Sequence, residues 1–182
     1  MALRNGILGV LCLILGAVCL ISIPQIQRYW AKYYAFHEPF YQSPLTSKTL
    51  AIRSDSYGKG YFGASRNGGR THQGLDLRSP IGSPVLAAKS GRVSRAEEEK
   101  GYGKYVEIYH PDGRMTRYAH LSTIHVLAGQ WIGEGVCLGL VGKTGNASNR
   151  LVTSHLHFEI RDQKDALNPT APDLLDPTIV LK

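Results

Sequence analysis

Cysteine is scarce in this chain of 182 residues: there are three, and Cys12 and Cys19 both lie in an apolar run near the N-terminus. Only Cys137 is left for the remainder, which excludes an intradomain disulfide framework, and its setting in "GVCLGLVG" reads as a buried strand rather than a reactive thiol. A dense Lys/Arg block is also missing. Lys and Arg number 21 against 14 Asp and Glu, but the net charge of +7 is spread along the chain, so it suits an anionic polymer or membrane surface without the footprint of a nucleic-acid binder. Beyond the N-terminal segment helical periodicity is scarce, and there is no internal repeat and no long coiled coil. With 20 Gly and 9 Pro, what remains is turn-rich β chain with room for one domain and a short extension.

The extension is the run "GILGVLCLILGAVCLISI" at 6–23, 18 residues without a charge, close to the roughly 20 that span a bilayer. It exceeds a typical signal-peptide core, and Ala17-Val18-Cys19 matches an A-x-A cleavage site poorly. An uncleaved anchor is the expectation, with a cleaved signal as the alternative; the residues before Cys19 lack the order expected of a lipoprotein. Trp30, Tyr33, Tyr34 and Phe36 follow, suited to rings at headgroup level or to an ordinary helix packed on the domain. Arg4 on one side and Arg28 with Lys32 on the other leave the orientation unsettled by charge.

From about Thr49 short apolar runs are separated by glycine and proline every eight to twelve residues, the pattern of an all-β meander. "PVLAA" and "RVSRA" flank Lys89-Ser90-Gly91 as one expected hairpin, and "KYVEIYH" and "RMTRYAH" flank Pro111-Asp112-Gly113 as a second, since Asp-Gly is a strong turn signal. "GVCLGLVG" and "SHLHFEI" read as two further strands, and the proline-containing tail as irregular capping chain.

Two motifs carry chemistry. In "SHLHFEI" alternation puts His155 and His157 on one face about 7 Å apart, with Leu156 and Phe158 turned to the core; alone, such a pair is equally a solvated polar face. In "RTHQGLDL" His72 and Asp76 would lie roughly 13 Å apart on a straight strand, too far for both to reach one ion at about 2 Å. The chain must bend, and Gly74 tolerates a bend; the bland reading is a polar turn. Together, His72, Asp76 and one of the paired histidines make a three-donor set that leaves a fourth tetrahedral position for water, as in a catalytic rather than structural zinc site.

These residues carry a resemblance. "YGKGYFGASR", "HQGLDL", "PVLAAKSGRV", "YGKYVEIYHPDGRMTRYAHLS", "GQWIGEGVCLGLVGKTG", "SHLHFEI" and Asn168-Pro169 occur in that order over residues 55–169, and this stretch resembles the LytM/lysostaphin-type zinc metallopeptidases, the M23 peptidase family. The resemblance implies an all-β fold of packed antiparallel sheets, one Zn2+ held by His72, Asp76 and His157, and two catalytic histidines that are not ligands, His120 and His155. With the apolar run, the chain is expected to divide into three segments: a transmembrane anchor or signal at 1–24, a juxtamembrane linker at 25–48 and a peptidase domain at 49–182. The partners are then peptidoglycan peptide stems and, through the N-terminal segment, the membrane, with no nucleic acid. The domain would stand on the periplasmic side of the cytoplasmic membrane on a single-pass tether.

Where the family often has a short Ser/Thr-Gly-Pro connection, this chain carries "ASNRLVT" before Ser154, at the expected mouth of the site. Glu159 shares the face of the histidine pair and is a candidate to orient an imidazole or to form a cross-strand ion pair. Tyr61, Arg66 and Arg70 are candidates for substrate carbonyl or carboxylate groups or for plain loop charge; His110 reads as a hairpin-tip residue and His125 as a loop residue near the groove. The competing reading is a catalytically silent relative that binds zinc and a partner such as a wall amidase. All five site positions are occupied, which favours the enzyme.

Overall fold

Short apolar runs cut by glycine and proline become short strands in the computed structural model of the chain, which describes residues 29, 30, 33, 34, 36–47, 50–66, 68–162 and 173–181. β1 (Ser54–Asp55) with β2 (Gly58–Lys59), and β3 (Ser65–Arg66) with β4 (Arg70–Thr71), form two small hairpins. β5 (Leu75–Arg78), β6 (Pro84–Leu86), β7 (Gly91–Glu99), β8 (Gly103–Tyr109), β9 (Arg114–Ile124), β10 (Trp131–Ile132), β11 (Cys137–Val141), β12 (His155–Asp162) and β13 (Asp173–Leu175) make one antiparallel sheet of nine strands. A 3₁₀ turn at Gly145–Ser148 precedes β12, and a single helical turn at Pro177–Val180 is capped by Asp176, which accepts from the Thr178 N–H. The fold is all-β.

The sheet forks along β9. One side of β9 pairs with β8; on the other, residues 114–119 pair with β12 and residues 121–124 with β11. β12 continues to β5 and β13, and β11 to β6. Leu75, Leu77, Leu156 and Phe158 from one branch and Val85, Leu138 and Val141 from the other share a single core, each worth about 1.5–3 kcal/mol of burial for the larger side chains.

Residues 1–37 and 38–182 are separate units. In the first, Tyr29, Trp30, Tyr33 and Phe36 are helical with exposed rings. The apolar run at 6–23 lies outside the described residues, and among those described no helix is long and apolar enough to cross a membrane. The second unit starts earlier than residue 49, because Tyr41 and Leu45 of the expected linker belong to the core. The tail is more regular than its prolines suggest, since β13 pairs with β12.

The Pro-Asp-Gly hairpin between β8 and β9 forms as expected, whereas the one at Lys89-Ser90-Gly91 does not: β6 pairs with β11, and β7 with β8 and β10. The connection is instead sunk into the domain and held by long-range partners. Lys89, 2% exposed, pairs with Asp112 at 3.0 Å; Glu38 accepts from the Ser90 N–H at 2.7 Å and hydroxyl at 2.6 Å. His110 is likewise buried rather than at a hairpin tip, with Nδ1 donating to the Ser90 carbonyl at 3.0 Å and Nε2 meeting the Thr116 hydroxyl at 2.7 Å.

Burial, with Lys89 adding to it, holds the His110 ring down to about 4 against the opposing Ser90 and Asp112 contributions. Between pH 6.5 and 4 the unfolded chain therefore binds a proton at this position and the folded chain does not, so this contribution to stability is full above pH 6.5 and is lost as the pH falls. Denaturant titrations of wild type and His110→Gln across that window should show the wild type losing on the order of 3 kcal/mol more. Parallel losses in the two proteins would remove His110 as the cause.

Candidate metal centre

β5 and β12 pair antiparallel in a register that sets His157 opposite Asp76. His72 enters just before β5, from which a bend at Gly74 separates it. Gly74 does not take a left-handed conformation; it is required by proximity, since a Cβ there would lie 2.4 Å from the Phe158 carbonyl oxygen of β12. Alternation along β12 works as expected: Leu156 and Phe158 are fully buried in the core, and His155 and His157 share the other face.

Three donor atoms converge. His72 Nε2 lies 2.9 Å from Asp76 Oδ1 and 3.0 Å from His157 Nδ1, and His157 Nδ1 lies 2.8 Å from Asp76 Oδ1. Tetrahedral zinc at about 2.0–2.1 Å needs donors about 3.3 Å apart, so the triangle needs only a few tenths of an ångström of expansion. The partners behind each ring set the tautomers. His72 Nδ1 donates to the Tyr61 carbonyl at 2.8 Å and His157 Nε2 to Glu159 Oε1 at 2.8 Å; with the inner nitrogens deprotonated, as metal ligands must be, Nε2 of one and Nδ1 of the other aim lone pairs at the same point as a carboxylate oxygen. Such a set repels itself unless a cation lies at its centre, and two nitrogens with one oxygen suit Zn2+.

Electrostatics agree. Burial opposes ionisation of Asp76, yet hydrogen bonds from His157 and His72 hold its carboxyl well below the usual carboxylate range. Burial would likewise lower His157, but Asp76 and Glu159 overcome it and push the ring up to about 9. The pocket draws positive charge to this point, and a metal ion would compete with that proton.

His120 and His155 join the same cleft, of about 810 Å3, also lined by Arg70, Tyr102, Asn146 and Val152. His120 Nδ1 donates to the Thr144 carbonyl at 2.9 Å and His155 Nδ1 to the Thr153 carbonyl at 2.7 Å, and the two rings lie edge to face, 5.1 Å apart. Burial first, then the neighbouring imidazoles, hold His120 down to about 3; burial also lowers His155. Both shifts favour the neutral ring, in which Nε2 is the acceptor; His155 Nε2 lies 3.7 Å from Asp76 Oδ1. His120 reaches this face through a bulge: Leu121 opposes Lys104 and Tyr118 opposes Val106, so two residues of β9 face one of β8, and His120 takes a φ of 65°. In register it would follow Tyr118 into the core.

With this geometry in place, comparison with known proteins is decisive. Residues 70–169, more than half the chain, match the family model of Peptidase family M23. The chain belongs to this family. It is 38% identical over 120 residues to the cell division protein DipM of Caulobacter vibrioides, covering 64% of this chain and 19% of that one. It is 42% identical over 89 residues to the peptidoglycan DD-endopeptidase ShyA of Vibrio cholerae, covering 49% and 20%. The chain thus spans about a fifth of the length of these relatives. Among solved structures, the catalytic domain of the antimicrobial peptidase lysostaphin from Staphylococcus simulans matches at 28% identity and a TM-score of 0.54, covering 72% of this chain and 97% of that one.

Around the centre of this M23 domain lie residues that sequence reasoning missed or placed otherwise. Glu159 does both things considered for it: Oε1 accepts from His157 and from the Tyr102 hydroxyl at 2.8 Å, while Oε2 pairs with Arg117 at 3.3 Å and Arg161 at 2.6 Å. Burial opposes its charge, but His157 and the arginines hold it down to about 2. Arg117 also pairs with Glu107 and lies over the Tyr102 ring at 4.1 Å. Tyr61 contributes its carbonyl and not its exposed ring; Arg66 binds Asp76 at 3.0 Å; Arg70 lines the cleft. His125 is exposed beside Cys137, its Nδ1 3.8 Å from the sulfur, and does not line the cleft. The "ASNRLVT" loop is braced on the first hairpin, with Asn149 donating to the Tyr57 hydroxyl at 3.0 Å and the Thr153 N–H to Asp55 at 2.9 Å.

Arg117 is the shared cation of two buried carboxylates. Arg117→Met should destabilise the domain by about 3–5 kcal/mol in a urea titration, because Glu107 and Glu159 lose a partner in the interior. A loss below about 1 kcal/mol would show that water or Arg161 suffices.

Proposed function

We propose that this chain is a zinc-dependent endopeptidase that hydrolyses peptide cross-links of bacterial peptidoglycan while tethered to the membrane by its N-terminal segment. The observation that carries the reading is the division within one cleft between three converging donors, His72, Asp76 and His157, and two neutral imidazoles, His120 and His155, pinned by backbone carbonyls. Membership of the M23 family and the name of the Vibrio cholerae relative support the substrate class. D-Ala to meso-diaminopimelate bridges are the first substrate and glycine bridges the second. The apolar run at 6–23 and the exposed rings of Tyr29, Trp30, Tyr33 and Phe36 support a single-pass anchor, with 38–182 on the outer face of the cytoplasmic membrane.

Bound zinc would polarise the scissile carbonyl and lower the pKa of a water from about 15.7 towards 7. The chain supplies the rest. Tyr61 and Glu159 keep the outer protons of His72 and His157 in place, so their inner nitrogens stay ligands. Nε2 of His120 or His155 accepts the proton of the attacking water, and the imidazolium so formed stabilises the developing oxyanion or returns the proton to the leaving amine. Holding both rings neutral before reaction keeps them available as bases near neutral pH.

Muropeptides released from purified peptidoglycan by the full chain, resolved by mass spectrometry, test the whole reading. Chelation should abolish release and added Zn2+ restore it. Alanine at His72, Asp76 or His157 should lose zinc and activity together, whereas His120→Ala and His155→Ala should keep zinc and lose about 10²–10⁴ in kcat. A wild-type chain that carries stoichiometric zinc and releases nothing would leave the silent zinc-binding module in its place, and a reporter fused after Lys182 that reads cytoplasmic would remove the wall substrate.

A further inference from the structure

The two oxygens of Asp76 have different fates. Oδ1 faces His72 and His157, whereas Oδ2 accepts from Arg53 Nε at 3.2 Å, Arg53 Nη2 at 3.0 Å and Arg66 Nη2 at 3.0 Å. Neither arginine is loosely held. Arg53 is 4% exposed, and its Nη1 lies 2.8 Å from each oxygen of Asp55. Arg66 reaches in from the β3–β4 hairpin, and its Nη1 donates to the Lys59 carbonyl at 2.6 Å. The path of its guanidinium is reserved by Gly58, where a Cβ would lie 2.9 Å from Arg66 Nη1 and the φ of +129° is unsuited to a side chain.

Carboxylates bind cations through one oxygen or two, and nothing in the side chain of an aspartate decides which. Here three N–H groups from two cations already occupy the lone pairs of Oδ2, and a rotation that brought Oδ2 inward would break all three bonds, leaving Arg66 without its carboxylate and Arg53 with Asp55 alone. We infer that Arg53 and Arg66 are positioning residues that restrict Asp76 to a single donor oxygen, so that a metal held by His72, Asp76 and His157 keeps a position open for water and substrate. The inference rests on the metal-site reading above and concerns how Asp76 binds, not whether it does. The brace of Asp55 on Thr153 extends the same restraint to the loop at the cleft wall.

Visible absorption of the full chain, purified in detergent and loaded with Co2+ alone, separates the two levels. The wild type should bind one Co2+ and show the intense bands of a four-coordinate ion. Arg66→Gln should still bind one Co2+, with weaker bands typical of a higher coordination number, and should lose about ten- to a hundredfold in kcat. Arg66→Lys, which keeps the charge and a donor, should recover most of the wild-type spectrum. An Arg66→Gln spectrum that superimposes on the wild type overturns the inference. So does loss of Co2+ from Arg66→Gln at an unchanged unfolding midpoint, which would make Arg66 a determinant of affinity rather than of donor number. A wild-type chain that binds neither Co2+ nor Zn2+ overturns the metal-site reading instead.

Discussion

The antiparallel register of β5 against β12 is the constraint on which the site depends. It sets Asp76 across from His157, and because side chains alternate with a period of two, a slip by one residue would send both paired imidazoles to the core and Leu156 and Phe158 to the cleft. Apolar packing holds that register. Leu75, Leu77, Leu156 and Phe158, all essentially without exposure, do so from the opposite face, and each would forfeit about 1.5–3 kcal/mol of burial on slipping. Donor geometry is thus inherited from apolar packing, which holds the three donor atoms within 3.0 Å of one another.

With a proton or a metal ion at His157, buried charge in this domain is arranged with alternating sign. Asp55, Arg53, Asp76, His157, Glu159, Arg117, Glu107 and Arg95 follow one another through direct contacts. The sequence of contacts crosses β5, β12, β9, β8 and β7 and ends in solvent at the half-exposed Arg95. An isolated charge at any of its inner positions would cost several kcal/mol; in this order each finds its counterion next to it. His120 and His155 stand off the series and rest on carbonyl groups. His72 and His157 thus have the Asp76 carboxylate within 2.9 Å, whereas His155 Nε2 stands 3.7 Å from it and His120 is anchored by a peptide oxygen.

What sequence could reveal follows from how local the cause is. β8, β9, β11 and β12, the Asp-Gly turn, and the shared face of His155 and His157 depend on alternation and turn chemistry within a few residues, and these were legible. The bend between His72 and Asp76 was legible from the reach of a metal ligand, though the reason for Gly74 was not, because Phe158 approaches it from more than eighty residues away. Tertiary pairing overrode the expected turn at Lys89-Ser90-Gly91, since it takes Glu38 and Asp112 to sink that segment. Arg53 and the Tyr61 carbonyl left no trace: a backbone oxygen has no sequence signature, and an arginine does not name its carboxylate.

His120 was visible only through resemblance, and the fork explains why. β9 must leave β12 and join β11 between Ala119 and Leu121; the bulge at that point shifts the alternation by one residue and gives His120 a left-handed backbone that costs on the order of 1–3 kcal/mol. The flanking Ala119 and Leu121 are both fully buried, so the chain is held on either side and the strain falls on the residue between them. The alternative, an in-register His120, would place an imidazole in the apolar core and leave the Thr144 carbonyl with only the Ala147 N–H, 3.3 Å away, as donor. An imidazole at the fork is therefore the product of the two branches of the sheet: His157 pairs with Ala119 on one branch, Val141 with Leu121 on the other, and the side chain between those pairs is the one that turns into the cleft.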